Sequence, residues 1–201
     1  MMMLSIIRAS GWENRMINWE AISGFSKREF EPSTKVDIAW DMHPRLVDML
    51  CKLRDHGMSR YNNRFRVMIH HNGGFAVDGH SATSLHYGDP ESPEGAVKVG
   101  RAVDFHCEHW SENHECWVLV PFLDQVLLLH PLLDDNGWGV GIHPDWNNDG
   151  FHLDYRMGVR SPDVWWKKDG LYRSYPFYRF SEALMDCLEH MFRGHINELR
   201  D

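Results

Sequence analysis

Two short segments of this sequence alternate between apolar and polar side chains, and this alternation constrains the fold more than any other feature. In residues 150–156 every second side chain is bulky and apolar, and the polar positions between them are His152, Asp154 and Arg156. In residues 101–105 Val103 and Phe105 likewise share one side, and Asp104 lies on the other side with the small Ala102. Because successive side chains of a strand point to opposite faces, both segments are predicted to be strands with one face in the core. Their other face presents polar chemistry.

Apolar periodicity and turn residues predict the remaining elements. Helical patterns cover a short turn within 22–32, an amphipathic helix over 44–57 that ends at a glycine, a core helix over 115–133 and a final helix starting at Ser181. Strand patterns cover 64–70, 101–107 and a hairpin of 137–143 with 150–156. Residues 73–100 lack periodicity and predict a long loop, and loops of this length are usually functional or mobile. That loop contains His80, Ser84 and His86.

Length and composition predict one globular domain, since 43% of the 201 residues are hydrophobic. The expected parts are a ragged N-terminal extension at 1–21, a core at 22–160, and an aromatic loop with a C-terminal helix packed on the core at 161–201. The net charge of -8 gives no reason to expect a nucleic-acid partner. No stretch reaches the roughly 20 apolar residues of a membrane span. Because the N-terminus also lacks a signal-peptide layout, cytoplasmic synthesis is expected.

Histidine and carboxylate side chains offer a metal site, whereas the four cysteines predict neither a zinc knuckle nor a disulfide scaffold. Asp104 lies on an otherwise apolar strand and needs a partner that offsets its desolvation, and a metal ion is one such partner. A catalytic zinc site typically uses three protein ligands and leaves the fourth position for water. His86, Asp104 and His152 would supply such a set. Asp149, three residues before His152, is placed to act as a general base.

Three segments in this order resemble the signature of the D-alanyl-D-alanine carboxypeptidase family. They are Ser84-Leu85-His86, Gly100-Arg101-Ala102-Val103-Asp104 and Asp149-Gly150-Phe151-His152-Leu153-Asp154. The family pattern is Ser-x-His, then Gly-x-Ala-x-Asp, then an acidic residue three before a second His that is followed by x-Asp. Segments 25–30, 53–57 and 137–144 also look like phage-type members, so the resemblance covers about residues 22–160.

The resemblance implies an α+β, Hedgehog/DD-peptidase-like fold in which a small antiparallel sheet is flanked by helices. It also implies that residues 22–160 are a zinc peptidase core with His86, Asp104 and His152 as Zn²⁺ ligands and Asp149 as the general base. Family members cleave peptides that contain D-amino acids, as carboxypeptidases, dipeptidases or phage endolysins. The expected activity is hydrolysis of amide bonds in peptidoglycan stem peptides, with release to the cell wall during phage lysis as one setting.

The sequence departs from the family pattern in two places. Residues 87–99 form an insertion between the first ligand and the second, which an added surface loop beside the site explains. Many members have Ser-Gly-x-Arg after the first central strand, where this chain has His70-His71-Asn72-Gly73. His71, Arg101 and Arg156 are the candidates to replace the missing arginine as a donor to the oxyanion or substrate.

Asp154 is expected to orient a ligand imidazole or to pair with Arg156, and Ser84 is a further candidate beside the ligands.

Two other functions are compatible with the sequence. A catalytically weak or inactive family member would act as a phage structural or cell-wall-binding module, and the missing arginine and the insertion favour that alternative. The one feature that suggests a histidine-metal nuclease is the count of 14 histidines, and the acidic net charge disfavours this function.

Overall fold

The computed structural model describes residues 16–32, 39–76, 84–87, 97–133, 137–144, 146–156, 161–168 and 170–198, with side chains in the last helix described through Phe192. The N-terminal extension and the 87–99 insertion lie mostly outside these ranges. His80 lies wholly outside them.

The described residues form three α-helices and nine β-strands. The helices are α1 Pro44–Arg60, α2 Phe122–Leu129 and α3 Phe180–Glu198. The strands are β1 Trp40–Met42, β2 Phe65–Ile69, β3 Lys98–Gly100, β4 Ala102–Ser111, β5 Cys116–Leu119, β6 Trp138–His143, β7 Gly150–Tyr155, β8 Asp163–Lys168 and β9 Leu171–Pro176. Short 3-10 turns lie at Trp19–Ala21, Lys27–Phe30, Leu85–Tyr87, His130–Leu132 and Phe177–Arg179.

Seven of the strands form one mixed sheet in the order β2-β4-β7-β6-β8-β9, with β5 paired to the second half of β4. The β6–β8 pair is parallel and the other pairs in this sheet are antiparallel. The α+β class is therefore confirmed. The expectation of a small antiparallel sheet is wrong, because residues 163–176 add two strands and the first of them runs parallel to its neighbour. The Hedgehog/DD-peptidase-like assignment stays a prediction.

The two faces of this sheet differ sharply in chemistry. One face is apolar and belongs to the buried core, with Val103 and Phe105 on β4 and Phe151 and Leu153 on β7. Helix α1 packs against β2 and β7, and α3 packs against β8 and β9. The alternation of side chains puts the polar residues of the same strands on the opposite face. The predicted strands and the 137–156 hairpin are confirmed, and they present Asp104, His152 and Asp154 on the polar face.

Helix α1 begins where predicted but runs past its expected end. Pro44 occupies the first turn, and the His43 Nδ1 atom accepts a hydrogen bond from the backbone of Arg45. The helix continues through Gly57 to Arg60, so that glycine is not a stop signal. A Cβ at Gly57 would lie 2.3 Å from the ring of Phe65, so the glycine is needed for close packing of α1 on β2.

The prediction of a single core helix over 115–133 is wrong. Residues 116–119 form β5 and pair with β4, while α2 begins after Pro121. Pro121 lacks an N–H and suits the start of a helix, which separates the two elements. The Gln125 side chain of α2 accepts a hydrogen bond from the Cys107 backbone and donates to the backbone oxygens of Val120 and Asp149, which ties α2 to the sheet.

The C-terminal part contributes strands where a loop was expected. Residues 163–168 and 171–176 are β8 and β9, and the buried side chains of Val164 and Trp166 belong to the core. The final helix begins at Phe180, one residue before the predicted start. Among the described residues no helix has the length and apolar character of a membrane span. All four cysteines are free thiols.

Candidate metal centre

Three donor atoms meet on the polar face of the sheet: Nε2 of His86, Oδ1 of Asp104 and Nδ1 of His152. The two imidazole nitrogens are 3.3 Å apart. The Asp104 oxygen lies 3.6 Å from the His86 nitrogen and 2.7 Å from the His152 nitrogen. Tetrahedral zinc with bonds of about 2.0–2.1 Å holds its ligands roughly 3.3 Å apart. The three atoms could therefore hold a metal ion after small adjustments of their side chains.

Strand register explains why two of these residues meet. Asp104 on β4 lies directly opposite His152 on β7, so their side chains share one face of the sheet. His86, the third residue of the group, lies in the 3-10 turn at Leu85–Tyr87. That turn is fixed to the start of β4 because the Arg101 backbone N–H donates to the Leu85 carbonyl at 2.8 Å.

Each histidine makes a second contact that fixes the nitrogen facing the site. The His86 Nδ1 atom lies 2.7 Å from the carbonyl oxygen of Gly74, and since a carbonyl only accepts, Nδ1 carries the proton. The His152 Nε2 atom likewise donates to Asp154 Oδ2 at 3.1 Å. The hydroxyl of Ser84 accepts from the His86 backbone N–H at 3.3 Å. Carboxylate and carbonyl partners of this kind orient metal-ligating histidines in known sites.

The electrostatics of the cluster favour a charged carboxylate. Burial alone would raise the pKa of Asp104, but hydrogen bonds from His152 and His86 outweigh it and hold that pKa far below its usual range. Burial opposes a charge on His152, yet the hydrogen bonds to Asp104 and Asp154 raise its pKa to about 9. For His86, burial dominates and lowers the pKa. A metal ion must displace the proton between Asp104 and His152, so binding weakens as the pH falls.

A buried ionic network holds His152 on the side away from the other two candidate ligands. The Asp154 carboxylate accepts from the Arg156 guanidinium through both oxygens, one contact being the Nη2–Oδ2 hydrogen bond of 3.0 Å. Arg156 also pairs with Asp163 on β8, and Asp163 accepts from the Ser174 hydroxyl of β9 at 2.9 Å. Asp154 thus contacts both groups that the sequence suggested for it. The added strands β8 and β9 are joined to the candidate metal ligands through this network.

Two glycines of β6 provide the space for this arrangement. A Cβ at Gly139 would lie 2.1 Å from Arg156 Nε, and a Cβ at Gly141 would lie 2.9 Å from the ring of Trp165. The Trp165 ring stands beside the His152 ring with centroids 5.3 Å apart. The Arg156 guanidinium lies 4.6 Å from the same tryptophan centroid. Trp165 therefore forms one wall of the site, a role that its place in a supposed loop did not suggest.

Asp149, the predicted general base, is not a member of the three-residue cluster. It is half-buried and immediately precedes β7, and its backbone oxygen accepts from Gln125 Nε2 at 3.0 Å. Its catalytic role stays a prediction. Of the other candidates, Arg101 precedes β4 and its carbonyl accepts from the Tyr155 backbone. His71 is exposed in the turn after β2.

A second group of polar residues lies on the same face of the sheet. The His70 Nε2 and His106 Nδ1 atoms are 2.8 Å apart, and His106 Nε2 lies 3.2 Å from Glu108 Oε1. Arg66 Nε donates to the other oxygen of Glu108 at 2.7 Å. Burial would raise the pKa of Glu108, but hydrogen bonds from Arg66 and His106 lower it. The available signal was that His106 and Glu108 continue the alternation that begins at Asp104.

Comparison with known proteins assigns no family to the chain. A scan against protein-family models finds no match, and searches of curated proteins and of solved structures find none.

Proposed function

We propose that this protein is a zinc-dependent peptidase that hydrolyses amide bonds in peptidoglycan stem peptides, as a D-alanyl-D-alanine carboxypeptidase or an endolysin-type endopeptidase. The observation that carries the proposal is the convergence of His86 Nε2, Asp104 Oδ1 and His152 Nδ1 within 4.8 Å of one another. Each imidazole is held by a second partner at the nitrogen that points away from the cluster, so its other nitrogen faces an ion that displaces the proton between Asp104 and His152. The motif resemblance supports the substrate class.

The donor set fits zinc in type and number. Two imidazole nitrogens and one carboxylate oxygen are ligands that zinc accepts, and three protein ligands leave a fourth position for water. The depressed pKa of Asp104 keeps its carboxylate ionised, as a ligand must be. The Gly74 carbonyl and the Asp154 carboxylate supply the outer contacts that hold such ligands in place.

Several residues of the chain have separate roles in the proposed hydrolysis. Zinc, when bound, supplies Lewis acidity and lowers the pKa of a water molecule towards 7. Asp149 accepts the proton of the attacking water and passes it to the leaving amine. Asp154, held by Arg156, accepts from His152 Nε2 and keeps the ring in the orientation that turns Nδ1 towards the ion. Trp165 covers one side of His152 and limits the approach of solvent from that direction.

The experiment that tests this function compares wild type with Asp149→Asn on muropeptide substrates. Asparagine preserves the shape of the residue and its ability to stabilise a turn, but it cannot accept a proton. We expect turnover to fall by about 100-fold or more, because general bases contribute on the order of 10² to 10⁴. Zinc content is expected to stay at the wild-type level. Asp48→Asn is the matched control, since Asp48 is exposed and pairs with Lys52.

Each other outcome has a distinct meaning. Full activity in Asp149→Asn with intact zinc would remove Asp149 from the mechanism and leave the peptidase in place. A zinc-loaded wild type that hydrolyses no muropeptide would overturn the proposal. In that case binding of the same muropeptides without turnover would support the alternative, a cell-wall-binding module.

A further inference from the structure

Four side chains from β2, β4 and the residue after β2 are joined by hydrogen bonds beside the candidate metal ligands. The proposed mechanism gives these four side chains no role. Arg66 donates to one oxygen of Glu108, and the other oxygen lies 3.2 Å from His106 Nε2. His106 is 6% exposed, and its Nδ1 atom lies 2.8 Å from Nε2 of His70. The order is therefore Arg66, Glu108, His106, His70. Its last member is half-buried and its remaining nitrogen, Nδ1, has no hydrogen-bond partner among the described residues.

The direction of these hydrogen bonds follows from the chemistry of Glu108. An ionised carboxylate only accepts, so His106 must donate to it from Nε2. A neutral imidazole carries one proton, which makes His106 Nδ1 an acceptor. That nitrogen can be satisfied only if His70 donates to it from Nε2. Neutral His70 is then left with an unprotonated Nδ1, which is a hydrogen-bond acceptor and not a donor.

The His70 end of this group of four side chains lies next to the candidate metal ligands. The His70 backbone N–H donates to the Asp104 carbonyl at 2.9 Å, which continues the β2–β4 ladder by one residue and places His70 opposite Asp104. Side chains at opposite positions share a face of the sheet and have Cβ atoms about 5 Å apart. The Trp146 ring packs against His70 with centroids 4.8 Å apart, and its own ring is stacked on His143 at 4.0 Å. These contacts restrict the imidazole to a narrow range of orientations.

We propose that His70 Nδ1, with its tautomer set by His106 and Glu108, is a substrate-binding subsite that accepts a hydrogen bond from a peptide amide N–H. This proposal rests on the proposed peptidase function for the identity of its ligand. The proposed donor is the amide N–H on the acyl side of the scissile bond. That amide keeps its single proton throughout hydrolysis, whereas the nitrogen of the scissile bond gains a proton as it leaves. A substrate N–H beside the metal would thus be recognised by an acceptor in the segment 70–73, where the resembling family has Ser-Gly-x-Arg.

The first test measures the tautomer of His70 in metal-free protein and does not depend on the peptidase function. The ¹⁵N spectra of histidine-labelled protein at about pH 8.5, well above the ordinary histidine pKa, distinguish protonated from unprotonated ring nitrogens. We expect an unprotonated Nδ1 and a protonated Nε2 for His70. In Glu108→Gln the amide oxygen stays with Arg66 and the NH₂ group faces His106, which reverses both hydrogen bonds and protonates His70 Nδ1. Glu112→Gln is the control, because Glu112 is exposed and pairs with Arg64.

The second test measures kcat/KM of zinc-loaded protein for N-acetyl-D-alanyl-D-alanine and for the analogue methylated at the acetyl amide nitrogen. One neutral hydrogen bond changes such a rate about 5-fold. Wild type and Glu112→Gln should prefer the unmethylated peptide by about that factor, and Glu108→Gln should lose the preference. The subsite is overturned if His70 Nδ1 is protonated in wild type, or if methylation slows wild type and Glu108→Gln equally while hydrolysis persists. If wild type hydrolyses neither peptide, the peptidase function fails and the subsite loses its ligand, whatever the tautomer.

Discussion

Replacing Asp154 by asparagine should separate support of the metal ligand from direct metal binding. Asp154 is 2% exposed, and its carboxylate accepts from His152 on one side and from Arg156 on the other. Asparagine keeps the volume but loses the charge and one acceptor, so its NH₂ group must face a donor. Arg156 is then left buried with Asp163 as its remaining carboxylate.

The magnitude follows from the burial of this pair. Removing one partner of a buried ion pair costs about 3–5 kcal/mol in the free energy of unfolding. Because Asp163 still neutralises Arg156, we expect the lower end, about 3 kcal/mol, for Asp154→Asn. The affinity for zinc should fall about 10- to 100-fold, because His152 loses the contact that fixes its ring. The exposed Asp48→Asn control should change the free energy of unfolding by at most about 0.5 kcal/mol.

Urea unfolding of the metal-free proteins and zinc competition with a chromogenic chelator measure the two effects independently. If Asp154→Asn were within about 1 kcal/mol of wild type and bound zinc as tightly, the carboxylate would support neither the fold nor the metal ligand. The description of the network would then be wrong.

Two further predictions concern the stability of the fold. Burial, followed by the charges of Arg101 and Arg45, lowers the pKa of His43 to about 4, so this histidine stabilises the fold only while neutral. In the unfolded chain, His43 binds a proton below about pH 6.5, whereas in the folded protein it stays neutral down to about pH 4. The contribution of neutral His43 to the free energy of unfolding is therefore fully present above about pH 6.5. On the order of 3 kcal/mol of it is lost as the pH falls towards about 4. His43→Asn keeps an N-cap acceptor and should flatten this part of the urea-unfolding pH profile, whereas an unchanged slope would assign it to other groups. Gly57→Ala should lower the free energy of unfolding in urea by about 1–3 kcal/mol, because the added Cβ meets the Phe65 ring. This loss is expected despite the higher helix propensity of alanine. A variant at least as stable as wild type would contradict the close packing of Gly57 on Phe65.

The core of the candidate site could be predicted because its signals are local. Asp104 and His152 each occupy a polar position in an alternating strand, and alternation depends on neighbouring residues alone. The Asp154 contact follows from the same two-residue spacing. His86 came from its motif segment, since its turn has no periodicity of its own.

The elements that were wrongly predicted depend on pairing between distant segments. The apolar run at 116–119 suits a strand or a buried helix equally, and pairing with β4 decides between them. Trp165 and Trp166 point to opposite faces of a strand whose partner, β6, lies more than 20 residues earlier in the chain. Aromatic content alone did not reveal that partner.

The histidine chain beside the site was missed for a related reason. His106 lies two residues after Asp104, but its partner His70 is 36 residues away on a neighbouring strand. No pattern within either segment indicates that the two rings meet. Only the β2–β4 register brings them together.

The most direct test of the account is the metal content of the purified protein after zinc loading, measured by elemental analysis for wild type, His152→Ala and His114→Ala. His114 lies exposed in the turn between β4 and β5 and serves as a control for loss of a histidine. We expect about one zinc per chain in wild type and in His114→Ala, and almost none in His152→Ala. A wild type that binds no zinc, or a His152→Ala variant that binds as much as wild type, would contradict the metal site and the peptidase function built on it.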